Sequence, residues 1–85
     1  MKSVFKYPIE ITDEQEILAP IGWQPLSVQF QHGSPCIWAL VDTANALVLQ
    51  TVHVHGTGHP IEHNGRFLGT IQVAGGSLIF HVFTH

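Results

Sequence analysis

Short apolar segments separated by turn residues recur along the whole chain, with a break about every ten residues. The segments are rich in Val, Ile, Phe, Leu and Thr, and the breaks carry Gly, Pro, Asn and Asp. This spacing is typical of β-sandwiches and barrels, and no segment repeats its apolar residues with a helical period. We therefore predict an all-β fold, a small antiparallel meander of about six to seven strands that forms a sandwich or a partly open barrel.

The size of the chain suits one domain over residues 1–85, with no room for a second. A domain this small buries only about 60 to 65% of its surface on folding. Cys36 is the only cysteine, so no internal disulfide can add stability. We expect core packing to be supplemented by self-association, and hence a homo-oligomer.

Charge and hydropathy exclude several classes of partner. Three basic residues stand against six acidic ones, and no basic run could neutralise a row of phosphates, so nucleic-acid binding is not expected. The opening "MKSVFKYPIE" lacks the apolar core of a signal peptide, and no stretch has the length of a membrane span. We predict a cytoplasmic protein without a membrane partner.

The positions of proline and glycine predict where strands lie and turn. Pro8 has no N–H to donate, so the first strand belongs at a sheet edge. A Gly33-Ser34 turn would build one core face from three cross-strand pairs, Phe30/Ile37, Val28/Ala39 and Leu26/Val41. A Gly75-Gly76 turn would do the same with Val73/Leu78, Ile71/Phe80 and Gly69/Val82. The pair Thr12 and Gln15 indicates a single helical turn or a β-turn.

The opposite faces of both hairpins also carry large apolar groups. Trp38 and Leu40 lie on one, and Leu68 and Phe83 on the other. Two interpretations stay open. The outer surface is buried against a copy of the chain, or Trp38, Leu68, His81 and Phe83 line a ligand pocket.

The stretch "VHVHGTGHPIEH" holds four of the seven histidines. On a strand, His53 and His55 would share a face in the H-x-H spacing that metal sites use. No third ligand accompanies them in a known motif, and the glutamate expected in a cupin is absent at its spacing, so we predict no metal and keep His53 and His55 as an alternative site. The strand register is ambiguous, but hydrophobicity favours Val48, Val52 and Val54 pointing inward and the two histidines outward.

The loop after this strand is a candidate ligand-binding site. Gly56 and Gly58 would allow close backbone approach to a ligand, Thr57 offers a hydroxyl, and His59 and Pro60 follow. The alternative interpretation is a plain connection to a hairpin turn at Asn64-Gly65.

Four segments of the chain form a distinctive combination: "KYPIEITDEQ", "GSPCIWALVD", "GTGHPI" and "GT" followed by "GGSLIFHVF". Over nearly its whole length the chain thereby resembles a family of short, uncharacterised proteins of bacterial and phage genomes. It implies that residues 56–61 and His81 belong to the family pattern, whereas His53, His55 and His63 stand outside it. It implies no established activity.

No catalytic constellation is evident, since the serines, Cys36 and the scattered acids lack suitable neighbours. We expect a non-enzymatic module without a cofactor that binds a small polar ligand through Gly56, Thr57, Gly58, His59, Pro60, His81 and Trp38. In a phage this would be a counter-defence protein that sequesters a nucleotide-derived signal in the host cytoplasm. The alternatives are a cupin-like metal enzyme, with His59 or His81 as third ligand, and an accessory protein that binds a host protein.

Overall fold

Two antiparallel β-sheets make up the molecule in a computed structural model that describes residues 1–85. The seven strands are β1 (Lys2–Pro8), β2 (Glu14–Pro20), β3 (Gln24–Gln31), β4 (Ser34–Asp42), β5 (Leu47–Gly56), β6 (Arg66–Val73) and β7 (Leu78–Thr84). One sheet has the order β1-β4-β3 and the other the order β2-β5-β7-β6. The predicted all-β fold is confirmed, and the sheets face each other without closing into a barrel.

The core lies between the two sheets and consists mainly of β-branched side chains. Its buried members are Ile9, Val28, Ile37, Ala39, Val41, Val52, Val54, Ile71 and Val82. On β5 the valines point inward and the histidines outward, as hydrophobicity favoured. A one-residue slip would bury the imidazoles in an apolar interior and expose the valines, so core packing determines this register.

The last hairpin follows its predicted register. Val73 faces Leu78 and Ile71 faces Phe80 across β6 and β7, around a loop that contains Gly75. A bulge between Phe67 and Gly69 then shifts the pairing, so that Phe67 rather than Leu68 lies opposite Phe83.

The register of the β3–β4 hairpin differs from the prediction. Its turn residues are His32 and Gly33, both with positive φ (51° and 80°), and Phe30 therefore faces Pro35 instead of Ile37. Two consecutive residues with positive φ match the right-handed twist of the flanking strands. Because the shift is two residues, Val28, Ile37, Ala39 and Val41 still point inward. The other two predicted core residues are exposed, Phe30 beside the turn and Leu26 at a bulge.

Strand β1 lies at a sheet edge, as Pro8 predicted, since it pairs only with β4. The segment between β1 and β2 is a bend without a helix. Gln15 closes it, accepting a hydrogen bond from the Glu10 N–H at 2.9 Å and donating one to the Glu10 carbonyl at 2.7 Å.

The order of the second sheet has one consequence for the site. Strands β5 and β6 both pair with β7 and not with each other, so residues 57–65 must pass from one side of β7 to the other. Asn64 and Gly65 consequently end a crossing loop and do not form the predicted hairpin turn.

The outer face of this sheet is apolar near the β2 edge. Leu18 and Leu49 face each other across β2 and β5 and are 58% and 60% exposed, and Leu47 is 62% exposed. The structure contains no helix that is long and apolar enough to cross a membrane.

Candidate metal centre

Three histidines from two different elements converge on the outer face of the second sheet. His53 and His55 project from β5 on the face opposite the core valines, because side chains two apart on a strand point the same way. His63 comes from the crossing loop and lies over them. Their ligand nitrogens all fall within 4.8 Å of one another.

The imidazole of His63 contacts the other two. The Nε2 atoms of His55 and His63 are 2.9 Å apart, and the rings of His53 and His63 stack with centroids 3.7 Å apart and planes inclined by 13°. The Gly65 N–H donates to Nδ1 of His63 at 2.9 Å. In neutral His63 the proton is therefore on Nε2, from which it is donated to His55.

His53 carries the strongest indication of a ligand. It is only 6% exposed, and its Nε2 is buried with no hydrogen-bond partner. Its Nδ1 is 3.8 Å from a carboxylate oxygen of Glu14. A buried, unpartnered ring nitrogen costs free energy, and an imidazole whose other nitrogen faces a carboxylate is the usual arrangement of a metal ligand.

Two of the three histidines, His53 and His63, have a pKa shifted toward the neutral form that a metal requires. Burial lowers the pKa of His53 below its ordinary value of 6.5, against a smaller opposing effect of Glu14. Burial also lowers the pKa of His63, with a further contribution from the neighbouring His53 and His55. Protonated imidazole cannot bind a cation, so a lowered pKa extends the pH range in which the site can be filled.

The cluster opens onto a pocket of about 450 Å³. Its lining residues are Asp13, Glu14, His53, His55, His59, Pro60, Glu62 and His63. The volume lies within the range of small-molecule sites, but the lining is polar and acidic rather than apolar.

A metal would require a rearrangement of the cluster, because the nearly parallel rings of His53 and His63 must tilt before their in-plane lone pairs can converge on one ion. Two nitrogens bound tetrahedrally to one zinc ion lie about 3.4 Å apart, so the contact of His55 with His63 must open by roughly half an ångström. His63 must also move its proton from Nε2 to Nδ1 and turn away from the Gly65 N–H. Its position in a loop rather than on a strand allows this movement.

The comparisons with known proteins identify the family. The model of a domain of unknown function, DUF7352, matches residues 1–85. The chain belongs to the DUF7352 family. No curated protein and no solved structure matches it.

Some of the side chains predicted to bind a ligand in this DUF7352 domain lie close together. Thr57 and His81 meet, with Thr57 Oγ1 2.8 Å from His81 Nε2, and Thr70 Oγ1 lies 2.9 Å from the other ring nitrogen of His81. The ring of His59 lies against Gly56, where an added Cβ would be 3.2 Å from it. Gly58 has a φ of 86°, so its conformation does require glycine.

The backbone of this loop is already largely hydrogen-bonded. The Thr57 N–H donates to the Ile79 carbonyl at 3.3 Å, and the His59 N–H donates to the Gly56 carbonyl at 3.1 Å. A phosphate bound by the backbone N–H groups of Gly56 to His59, as predicted, would have to replace these carbonyl acceptors.

Trp38 lies apart from the loop. It is half-buried on β4 of the other sheet, between the inward-pointing Ile37 and Ala39, so it projects from the far side of the molecule. The structure therefore brings Thr57 and His81 together but does not bring Trp38 to them.

Sequence reasoning on this DUF7352 chain missed His63, Glu14 and the two other acids of the pocket. The signal that could have located His63 is the length of the segment 57–65, which is too long for a tight hairpin. A long connection suggests that another strand lies between β5 and β6, which would place the loop over the sheet.

Proposed function

We propose that the protein binds one divalent transition-metal ion through His53, His55 and His63 and that the ion keeps an open coordination position in the adjoining pocket. The observation that carries this proposal is the buried Nε2 of His53, which has no hydrogen-bond partner and belongs to a residue that lines the pocket with His55 and His63. Three imidazoles suit zinc, copper, nickel or iron, and sites with three protein ligands leave room for water or a ligand.

The chemistry available at such a centre is Lewis-acid binding of a donor atom or activation of a bound water. The carboxylate of Glu14, near Nδ1 of His53, would orient that ring and raise its basicity as a ligand. Metal binding by this chain was the alternative kept in the sequence analysis, and the third ligand proposed now is His63 in place of His59 or His81.

Metal analysis of the untagged protein tests the proposal. We expect about one zinc or cobalt ion per chain, with the intense visible absorption of tetrahedral cobalt. Alanine at position 53, 55 or 63 should abolish stoichiometric binding. His32→Asn is the matched control, because His32 lies in the exposed β3–β4 turn and asparagine tolerates its positive φ. Ion binding that survives all three alanine substitutions would refute the site.

A second candidate function is the binding of a small polar ligand at the loop. A cavity of about 410 Å³ is lined by Gly56, Thr57 and His59 together with residues 77–80. The resemblance to bacterial and phage proteins supports a counter-defence role in which a nucleotide-derived signal is held there. Thermal-shift screening against cyclic dinucleotides and ADP-ribose derivatives tests it, since a ligand at a hundred times its Kd should add about 2.7 kcal/mol of stability. A screen with no stabilising compound would count against it.

A further inference from the structure

We infer that the open position of the centre takes a ligand that carries a positive charge beside its donor atom, and that it disfavours anions. This inference rests on the metal site proposed above. It concerns the chemical class of the ligand and assigns Glu62 and Asp13 as the residues that select it.

The charged side chains around the pocket are all acidic. Asp13 and Glu14 come from the start of β2 and its preceding bend, and Glu62 comes from the crossing loop. The three basic residues lie elsewhere. Lys2 and Lys6 are on β1 of the other sheet, and Arg66 lines two other pockets. With a divalent ion bound, three carboxylates leave the pocket with a net negative charge.

The carboxylates belong to a binding site rather than to a solvated acidic surface, because they share the pocket with His53. That residue is more than nine-tenths buried, its Nε2 has no hydrogen-bond partner, and the residue lines the same pocket. A ligand whose donor atom reaches the ion would therefore place its other groups among the carboxylates. A phosphate or carboxylate group would be repelled there, and an ammonium group would be attracted.

The expected preference follows from Coulomb's law. One unit charge about 7 Å from another in water changes an affinity roughly threefold. Exchanging a ligand's positive group for a negative one changes its charge by two, so a net single negative charge in the pocket should produce a preference of roughly sevenfold. At 1 M salt, where the screening length is about 3 Å, the preference should nearly vanish.

Two probes with the same donor and opposite charge test this directly. Cobalt-loaded protein is titrated with 1-(3-aminopropyl)imidazole and with 3-(imidazol-1-yl)propanoate, and binding is followed by the visible absorption of the ion. We expect the ammonium probe to bind roughly sevenfold more tightly at low salt. N-propylimidazole, which is uncharged, should fall between the two.

The variant Glu62→Gln should bring the two affinities close to each other when it is compared with wild type after both proteins are saturated with cobalt. Glu16→Gln is the matched control. It also removes one negative charge, but from a residue of β2 that does not line the pocket. Equal affinities of the two probes for loaded wild-type protein, or a stronger hold on the carboxylate probe, would overturn the inference and leave the metal site standing. Failure to load cobalt at all would instead overturn the metal site.

Discussion

The substitution His53→Leu should stabilise the metal-free protein. Nε2 of His53 is buried without a partner, and such an atom costs about 1–3 kcal/mol relative to a hydrogen-bonded or apolar one. Leucine has nearly the volume of histidine and can keep the packing against the His63 ring. The contact of His53 with Glu14 contributes little that would be lost, because that carboxylate is 68% exposed and 3.8 Å away.

The net gain in the free energy of unfolding is therefore about 1–2 kcal/mol. For a domain of this size each kcal/mol corresponds to about 4–8 °C in Tm. Urea denaturation and calorimetry in the presence of a chelator measure the gain. Adding zinc should reverse the order, because only the wild type gains binding energy, about 2.7 kcal/mol at a hundred times its Kd.

A reversal of the stability order of the two proteins on adding zinc would show that His53 binds a metal rather than stabilising the fold. His55→Leu is the comparison, since His55 is half-exposed and its Nε2 is hydrogen-bonded to His63, so that leucine there should give no gain. A His53→Leu variant less stable than wild type in chelator would refute the reasoning. It would mean that the stacked imidazoles themselves stabilise the fold.

Three further predictions concern the loop, the pH response and assembly. Gly65→Ala should weaken zinc binding, because its Cβ would lie 2.8 Å from Nδ1 of His63 and 3.2 Å from the Thr84 carbonyl, so that the loop carrying His63 would have to shift. Calorimetric titration beside the neighbouring variant Asn64→Ala measures this effect. The Tm of the metal-free protein should fall as the pH drops below 6.5. The pKa values of His53 and His63 are lowered in the folded protein, so below that pH the unfolded chain binds more protons and is favoured. An unchanged Tm between pH 7.5 and about 5.5 would contradict that assignment. Light scattering should show a dimer or larger homo-oligomer whose contact includes the exposed leucines beside β2. Leu49→Asp should therefore favour the monomer. A monomeric wild type at micromolar concentration would disprove self-association.

Local sequence patterns predicted much of the fold. Alternation with a period of two is a property of the strand itself, and it correctly placed the β5 valines in the core and His53 and His55 on the outer face. Pro8 correctly marked an edge strand, and the glycines after Val73 marked the last hairpin with its register. These features depend on neighbours a few residues apart, so the sequence alone contains the information for them.

The candidate site depends on strand order, which local patterns do not determine. Pairing β5 with β7 brings together segments about 30 residues apart, and this pairing is favoured by burial of a shared core rather than by any turn signal. It makes residues 57–65 cross the sheet and brings His63 onto His53 and His55. The sequence by itself determined which histidines leave the core. Only the tertiary structure decided that a third one meets them, because that contact is made by a loop whose path is imposed by the strands on either side.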